Sequence, residues 1–243
     1  MSRSAKYVPK GTSTDGPYGL LVTPDSAGWG YSGLRVLTLV PGGEHVLSTG
    51  ESEFLVLPLT GSCTVTTGGS SFELVGRTDV FASVTDFACV PRASEALISS
   101  ATGGSFALPS ARIEQGGHSA RYGRKEDVPV EVRGAGACSR QVNKWQLEET
   151  YNFEISGGEH GFGCQRVHGT HQRPIDLLAE IRSGDTVLIP HGRHGYDLHH
   201  LNVMAGPGPD QAWLICDDPA HGWVRATWDT QDVDDRLPFG ESR

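Results

Sequence analysis

Hydrophobic and polar residues alternate in short runs along most of this 243-residue chain, and the runs end at Gly or Pro. Alternation with a period of two over four to eight residues is typical of β-strands that have one buried face. In the first half, the pattern predicts strands over residues 34–39, 53–59, 61–67, 71–75, 87–90, 96–99 and 105–110. In the second half, it predicts strands over 147–155, 161–168, 175–181, 186–189, 196–204, 212–216 and 223–228.

Two series of similar strand content predict an all-β fold made of two tandem β-barrels. The 32 glycines and 14 prolines, with only two methionines, agree with many turns and little helix. A charged segment interrupted by Gly and Pro separates the two series and is read as a surface linker. The predicted units are an N-terminal arm (1–19), a structural N-terminal barrel (20–111), a linker with a connecting strand (112–143), a C-terminal barrel (144–229) and a polar tail (230–243).

The charge and the apolar pattern exclude several classes of partner. A net charge of −9 argues against a nucleic acid, because phosphate backbones are bound mainly by Lys and Arg. The chain has no run of 18 apolar residues and no signal-peptide core at its N-terminus, so we expect a cytoplasmic protein without a membrane partner. Five cysteines without a C-x-x-C pair indicate reduced thiols rather than a disulfide framework or a zinc-thiolate site.

Histidines are concentrated in the second half, where eight of the ten lie between residues 160 and 221. Imidazole is a ligand for Zn, Mn, Fe or Ni, so this distribution points to the C-terminal barrel as the functional one. The alternative is that most of these histidines are solvated loop residues. Residues 1–110 contain only His45, so we interpret the first barrel as structural. It would bury surface against the second half or form a subunit contact in a homo-oligomer.

His194 and Glu149 are the candidate metal ligands. The apolar strand at 186–189 leads into a Pro190-x-Gly192 turn, and His194 follows two residues later. A strand followed by Pro-x-Gly-x-His resembles the second half of the motif with which cupin β-barrels place a metal-binding histidine. Glu149 shares the odd-numbered face of strand 147–155 with apolar residues, and a buried carboxylate there needs a metal or a cationic partner. An Arg partner inside the barrel is the alternative to a metal.

Arg166 is the candidate substrate-binding residue. By strand parity it shares one face of 161–168 with Phe162, Cys164 and His168, while Gln165 lies on the other. A guanidinium near a metal would bind a substrate carboxylate in bidentate fashion. The alternatives are that Arg166 pairs with Glu149 or lies at the barrel rim. The sequence lacks a G-x-S-x-G motif and a P-loop, which argues against nucleophilic hydrolysis and nucleotide binding.

Longer motifs resemble the 5-deoxy-glucuronate isomerases of bacterial myo-inositol catabolism, which are also similar to 4-deoxy-5-keto-uronate isomerases. The motifs include Gly76-Arg-Thr-Asp-Val-Phe81, Gly161-Phe-Gly-Cys-Gln-Arg-Val167 and Tyr196-Asp-Leu-His-His-Leu-Asn-Val-Met-Ala-Gly-Pro207, with further matches at 89–92, 130–143, 147–149 and 213–221. The resemblance implies a bicupin fold of two jelly-roll barrels. It also implies an aldose–ketose isomerase, an intramolecular oxidoreductase that converts 5-deoxy-glucuronate to 2-deoxy-5-keto-gluconate. The implied cofactor is a divalent metal, with Zn or Mn as the favoured ion, and the implied partner is a small uronic-acid-type substrate.

The resemblance implies four metal ligands, of which this sequence matches two. Glu149 and His194 correspond to the Glu and the later His. The His-x-His pair that precedes them in the family is absent, because only Lys144 to Gln146 separate Asn143 from Leu147, where the family has several tens of residues. A shorter stretch is missing between Gly195 and Tyr196. His168 and His200 are the alternative ligands, because strand parity allows both to face the barrel interior. The rival hypotheses are a non-catalytic cupin-like protein that has lost its metal site, and another cupin metalloenzyme such as an oxygenase.

Overall fold

The computed structural model describes residues 6–114, 117–133, 135, 140–143, 150–155, 158–169, 174–189, 193–195, 199–203, 222–234 and 237. Within these ranges the chain is almost entirely β-structure, with one short α-helix, Pro24–Ala27, and three 3-10 helices, Lys125–Asp127, Gly158–His160 and Gly222–Thr230. A helix of the length and hydropathy needed to traverse a lipid bilayer does not occur in the described part of the chain.

The strands of the first half are β1 (Tyr7–Val8), β2 (Tyr18–Val22), β3 (Ser32–Leu39), β4 (Gly43–Ser48), β5 (Ser52–Thr67), β6 (Ser70–Arg77), β7 (Phe87–Val90), β8 (Glu95–Ser100), β9 (Gly104–Arg112) and β10 (Arg121–Gly123). Those of the second half are β11 (Val130–Arg133), β12 (Arg140–Asn143), β13 (Thr150–Glu154), β14 (Gly163–His168), β15 (Asp176–Ile181), β16 (Thr186–Leu188), β17 (Arg193–Gly195) and β18 (His199–Val203).

Strand β5 organises the first barrel. It pairs in antiparallel fashion with β6, β7, β8 and β9, and its 16 residues run through both strands predicted at 53–59 and 61–67. The register shifts near Gly61, which has a φ of 80°. A Cβ on Gly61 would collide with the Gly103 carbonyl oxygen, so the backbone crossing at this bulge requires glycine.

The first barrel closes around its own apolar core. Nine strands join in one sheet with the order β10-β7-β5-β9-β3-β2, to which β4, β6 and β8 are also paired. Its core residues alternate along the strands, as the sequence pattern predicts. They include Leu37, Leu47, Phe54, Val56, Val65, Leu74, Ile98, Phe106 and Leu108, each with no more than 3% of its surface exposed.

The second barrel is formed by smaller sheets. One has the order β1-β16-β13-β18, another has the order β15-β14-β17, and β11 pairs with β12. Residues 7–8 are therefore not part of a loose arm, because Tyr7 and Val8 pair with Val187 and Thr186 of β16. The segment 223–228 is not a strand either. It lies in the 3-10 helix Gly222–Thr230, and Trp223 is exposed.

The two halves bury a shared apolar interface. Val187 packs in the core of the second half with Tyr151, Phe153, Val167 and Ile181. The next residue, Leu188, points to the opposite face of the sheet and packs in a cluster with first-half residues. That cluster includes Leu20, Val22, Leu34, Leu57 and Ala107. The predicted all-β architecture of two tandem barrels is confirmed, and the first barrel does bury surface against the second half.

Candidate functional site

Strand β14 presents two chemically different faces. Gln165 and Val167 are 1% and 0% exposed, whereas Cys164 and Arg166 lie on the exposed face. The parity predicted for this strand is therefore correct, but the face that carries Arg166 is the outer one. Its neighbour Phe162 is 59% exposed, so an aromatic residue of the same face also lies at the surface.

Arg166 forms an ion pair across the outer face of the β14–β15 ladder. Its Nη2 lies 2.7 Å from Asp176 Oδ1, and the two side chains are about half exposed, at 49% and 54%. The guanidinium is thus held by a carboxylate of this chain at a solvent-exposed position. This placement favours the rim position that the sequence left open, and the role of Arg166 in substrate binding stays a prediction.

Gln165 is the buried polar residue of the same strand. It stands opposite Ala179 of β15 and shares the buried face with Val167, which packs in the core of the second barrel. Its Nε2 and Oε1 have no hydrogen-bond partner among the residues that the structure describes. Strand parity placed Gln165 opposite Arg166 but gave it no role. A buried amide in an otherwise apolar core was the signal that could have found it.

The candidate ligand His194 lies in β17, next to β14. In the antiparallel register, His194 is opposite Val167, and Gly195 is opposite Arg166. Glu149 and the rest of segment 144–149 lie outside the described residues. The assignment of Glu149 and His194 as metal ligands therefore stays a prediction.

The two substitute ligands occupy different positions. His168 shares the outer face of β14 with Arg166 and is half-buried, so the expectation that it faces inward is wrong. The reason is that Gln165 and Val167 fill the inner face, which turns every even-numbered residue of this strand outward. His200 stands opposite Phe153 in the β13–β18 register.

A metal ion requires several donor groups in one place. A catalytic metal centre generally takes three protein ligands and leaves a position open for substrate or water. Within the described ranges, no three His, Cys, Asp or Glu side chains come together in a way that could hold an ion. The described residues therefore do not, by themselves, fit a metal.

A buried carboxylate fixes the strands that support the second barrel. Asp185, 5% exposed, accepts hydrogen bonds from Tyr7 Oη (2.7 Å), Lys10 N (2.9 Å) and Arg182 N (2.9 Å). Burial and the hydrogen bond to Asp185 raise the pKa of Tyr7 to about 12. On the adjacent strand, the amide of Asn152 donates to Thr186 Oγ1 at 3.1 Å. These contacts hold β1, β13 and β16 in register.

The first barrel has a polar cluster that the sequence did not predict, because strand β4 was missed. Tyr18 Oη and His45 Nε2 lie 2.7 Å apart, and the Arg35 guanidinium lies 5.4 Å from the Tyr18 ring centroid and 4.9 Å from that of Phe54. Burial, and next the positive charge of Arg35, lower the pKa of His45. The cluster therefore favours a neutral imidazole held by a phenol.

An open depression of about 630 Å³ also lies in the first barrel, where the backbone segments 60–62, 75–78 and 102–104 meet. Its charged residue, Arg77, is 8% exposed and donates to the carbonyl oxygens of Pro58 (3.0 Å), Val80 (3.5 Å) and Ser83 (2.9 Å). The guanidinium thus holds backbone segments together, and the purely structural role of this barrel stays a prediction.

The fold has a close counterpart among solved structures. The crystal structure of an IolB-like protein from Salmonella typhimurium LT2 matches with a TM-score of 0.80 and 23% sequence identity, over 90% of this chain and 98% of that chain. At this identity the likeness establishes the fold, which is that of a bicupin protein with two packed barrels.

Sequence comparison then defines the family. The KduI/IolB family model matches residues 6–147 and 143–224. The protein from Geobacillus kaustophilus, named 5-deoxy-glucuronate isomerase, is 32% identical over 249 residues, which covers 84% of this chain and 89% of the relative. A protein of the same name from Geobacillus thermodenitrificans is 31% identical over 250 residues, with the same coverage. The chain belongs to the KduI/IolB family, and the predicted enzyme class, an isomerase, is confirmed.

The same comparisons bear on the missing segments. The alignment with the Geobacillus kaustophilus protein spans 249 residues, more than the 243 of this chain, although it covers only 84% of it. The relative therefore has internal residues without a counterpart in this chain. The two family-model matches overlap at 143–147, which is the position where the resemblance predicts that a segment is missing.

Proposed function

We propose that this protein is an aldose–ketose isomerase that converts 5-deoxy-glucuronate to 2-deoxy-5-keto-gluconate in myo-inositol catabolism. The observation that carries this proposal is the 32% identity to the Geobacillus kaustophilus 5-deoxy-glucuronate isomerase over 84% of the chain. The bicupin fold, which the chain shares with the IolB-like protein from Salmonella typhimurium LT2, is consistent with it.

The proposed reaction is an internal redox exchange between two neighbouring carbons. The C2–H bond breaks and its proton is removed by a base while the C1 oxygen takes up a proton, which gives an enediol shared between C1 and C2. A proton is then added to C1 and the C2 hydroxyl gives up its proton, so the aldehyde carbon is reduced and C2 is oxidised to a ketone. The reaction needs no external oxidant. The enzyme must hold the C1 and C2 oxygens in one plane and move a proton between the two carbons.

The metal dependence is part of the proposal and rests on the family resemblance. Glu149 and His194 are the residues of this chain that match metal ligands of the family. A divalent ion would polarise the two substrate oxygens as a Lewis acid. The second candidate function is a non-catalytic cupin-like protein, which the internal segments lacking from the alignment favour.

The deciding experiment uses the purified full-length chain with 5-deoxy-glucuronate, with and without added Zn²⁺ or Mn²⁺. Turnover is followed by ¹H NMR, through loss of the C1 signals and exchange of the transferred proton with D₂O. Metal content is measured on the same sample. Turnover supports the isomerase. A folded protein that shows neither turnover nor bound metal supports the non-catalytic candidate.

A further inference from the structure

The second barrel contains a side chain that its own core does not explain. Gln165 is 1% exposed, and neither atom of its amide has a hydrogen-bond partner among the described residues. Buried polar groups are almost always paired in folded proteins, because an unpaired one loses its water without compensation. Leu or Met would fill the same space without that cost.

A matched residue in the same half shows the ordinary arrangement. Asn152 is also an amide and is 3% exposed, but its Nδ2 donates to Thr186 Oγ1 at 3.1 Å and to the Asp185 carbonyl oxygen at 3.4 Å. Asn152 thus ties β13 to β16. The contrast indicates that the amide of Gln165 is kept for something other than holding the strands together.

The position of Gln165 relates it to the proposed active barrel. It shares the buried face of β14 with Val167, and Val167 pairs in register with His194 of β17. Gln165 therefore lies two residues along the strand from the position opposite the predicted metal ligand. Its other neighbour across the ladder, Ala179, is small and carries no polar side-chain atom that could pair with the amide.

The chemistry of a free amide selects a particular kind of ligand. Oε1 accepts from a hydroxyl group, and Nε2 donates to a hydroxyl or carbonyl oxygen. The amide is neutral, so it does not select for the carboxylate charge of a ligand. A polyhydroxy chain offers such groups on neighbouring carbons.

We infer that Gln165 is a substrate-binding residue, whose amide accepts from and donates to the hydroxyl and carbonyl oxygens of an open-chain sugar acid inside the second barrel. This inference rests on the proposed function and adds to it a residue for recognition of the substrate hydroxyls. The ligand completes the hydrogen bonds of the amide, so binding removes the desolvation cost that the free protein carries.

The test compares Gln165→Leu with Asn152→Leu in the full-length protein. For each variant and the wild type, the melting temperature is measured alone and with 5-deoxy-glucuronate, D-glucuronate or hexanoate, and turnover of 5-deoxy-glucuronate is measured in parallel. Hexanoate carries a carboxylate without hydroxyl groups and serves as the control ligand.

The expected results separate the two amides. Gln165→Leu should melt at or above the wild-type temperature, lose the thermal shift caused by the two sugar acids, and lose about tenfold or more in kcat/KM. Asn152→Leu should melt lower and keep the ligand-induced shift. Hexanoate should shift none of the proteins.

Each remaining outcome has one meaning. If Gln165→Leu keeps the wild-type thermal shift and turnover, Gln165 is not a binding residue and the inference is overturned. A wild-type protein that no sugar acid stabilises overturns it as well. If the sugar acids stabilise the wild type in a Gln165-dependent manner but 5-deoxy-glucuronate is not converted, the inference holds and the proposed isomerase function fails.

Discussion

The phenol of Tyr7 donates a 2.7 Å hydrogen bond to Asp185 Oδ2, across 178 positions of sequence. The contact ties the first strand of the chain to the turn before β16, and the backbone pairing of Tyr7 with Val187 continues the same junction. Because Val187 packs in the second-barrel core, Tyr7 and Val8 are part of the barrel that carries the candidate site.

Tyr7→Phe removes this hydrogen bond and leaves one buried carboxylate oxygen with one donor fewer. We expect the free energy of unfolding to fall by about 1–2 kcal/mol, because Asp185 is 5% exposed. Urea denaturation at pH 7 provides the measurement. Tyr31→Phe is the matched control, since the Tyr31 hydroxyl has no hydrogen-bond partner in the described part of the chain. Equal effects of the two substitutions would contradict the role given to the Tyr7–Asp185 contact.

The pH dependence of stability should reveal the raised pKa values of two tyrosines, Tyr7 and Tyr122. Burial and the hydrogen bonds to Asp185 and Asp86, respectively, raise the pKa values of Tyr7 and Tyr122 to about 12 in the folded protein. In the unfolded chain they ionise near pH 10. Their contribution is therefore complete below pH 10 and is lost as the pH rises from 10 towards 12. The stability difference between wild type and a Tyr7→Phe, Tyr122→Phe double variant should shrink across that interval. A difference that stays constant from pH 8 to pH 12 would contradict the shifted pKa values.

The odd-numbered face of β13 shows what the sequence could predict. Tyr151 and Phe153 alternate with polar neighbours, and both are buried in the second-barrel core, with 1% and 0% of their surface exposed. A period of two decides such a face because each residue reverses the direction of its side chain. The direction of β14 could not be decided in this way. Its odd face carries Gln165 beside Val167 and its even face carries Arg166, so polar side chains occur on both faces.

Contacts between distant segments could not be predicted from the sequence pattern either. The pairing of β1 with β16 depends on which strand edge of the second barrel is available for pairing. Residues 7–8 carry no local sequence pattern that specifies this edge. The segment Gly222–Thr230 forms a 3-10 helix although its apolar residues suggested a strand. A short apolar run is compatible with either structure, and tertiary context decides between them.

Asp86 is the corresponding buried anchor of the first barrel. Its carboxylate is 2% exposed and accepts from Val75 N (2.8 Å), Gly76 N (3.0 Å) and Tyr122 Oη (2.9 Å). Asp86→Ala leaves these donors without a partner, so we expect the free energy of unfolding to fall by about 2–4 kcal/mol. The measurement is chemical denaturation at pH 7.

The exposed Asp232 provides the control for that experiment, and Asp232→Ala should change the stability by less than about 0.5 kcal/mol. Since Asp86 lies in the barrel interpreted as structural, Asp86→Ala should not alter metal content in the fraction that remains folded. A loss of metal in folded Asp86→Ala protein would show that the first barrel takes part in the metal site.

His194→Ala tests the metal assignment directly. His194 is a predicted metal ligand and lies in β17, at the register position opposite the core residue Val167. Removing one of few ligands should reduce bound metal and turnover together, each by about tenfold or more, while the far-ultraviolet circular dichroism stays that of the wild type. Metal content is measured by mass spectrometry after dialysis. His160→Ala is the control, because His160 lies exposed in the 3-10 helix Gly158–His160 and should keep both properties. Unchanged metal content in His194→Ala would remove His194 from the ligand set, whereas loss of turnover alone would assign it a role in catalysis without metal binding.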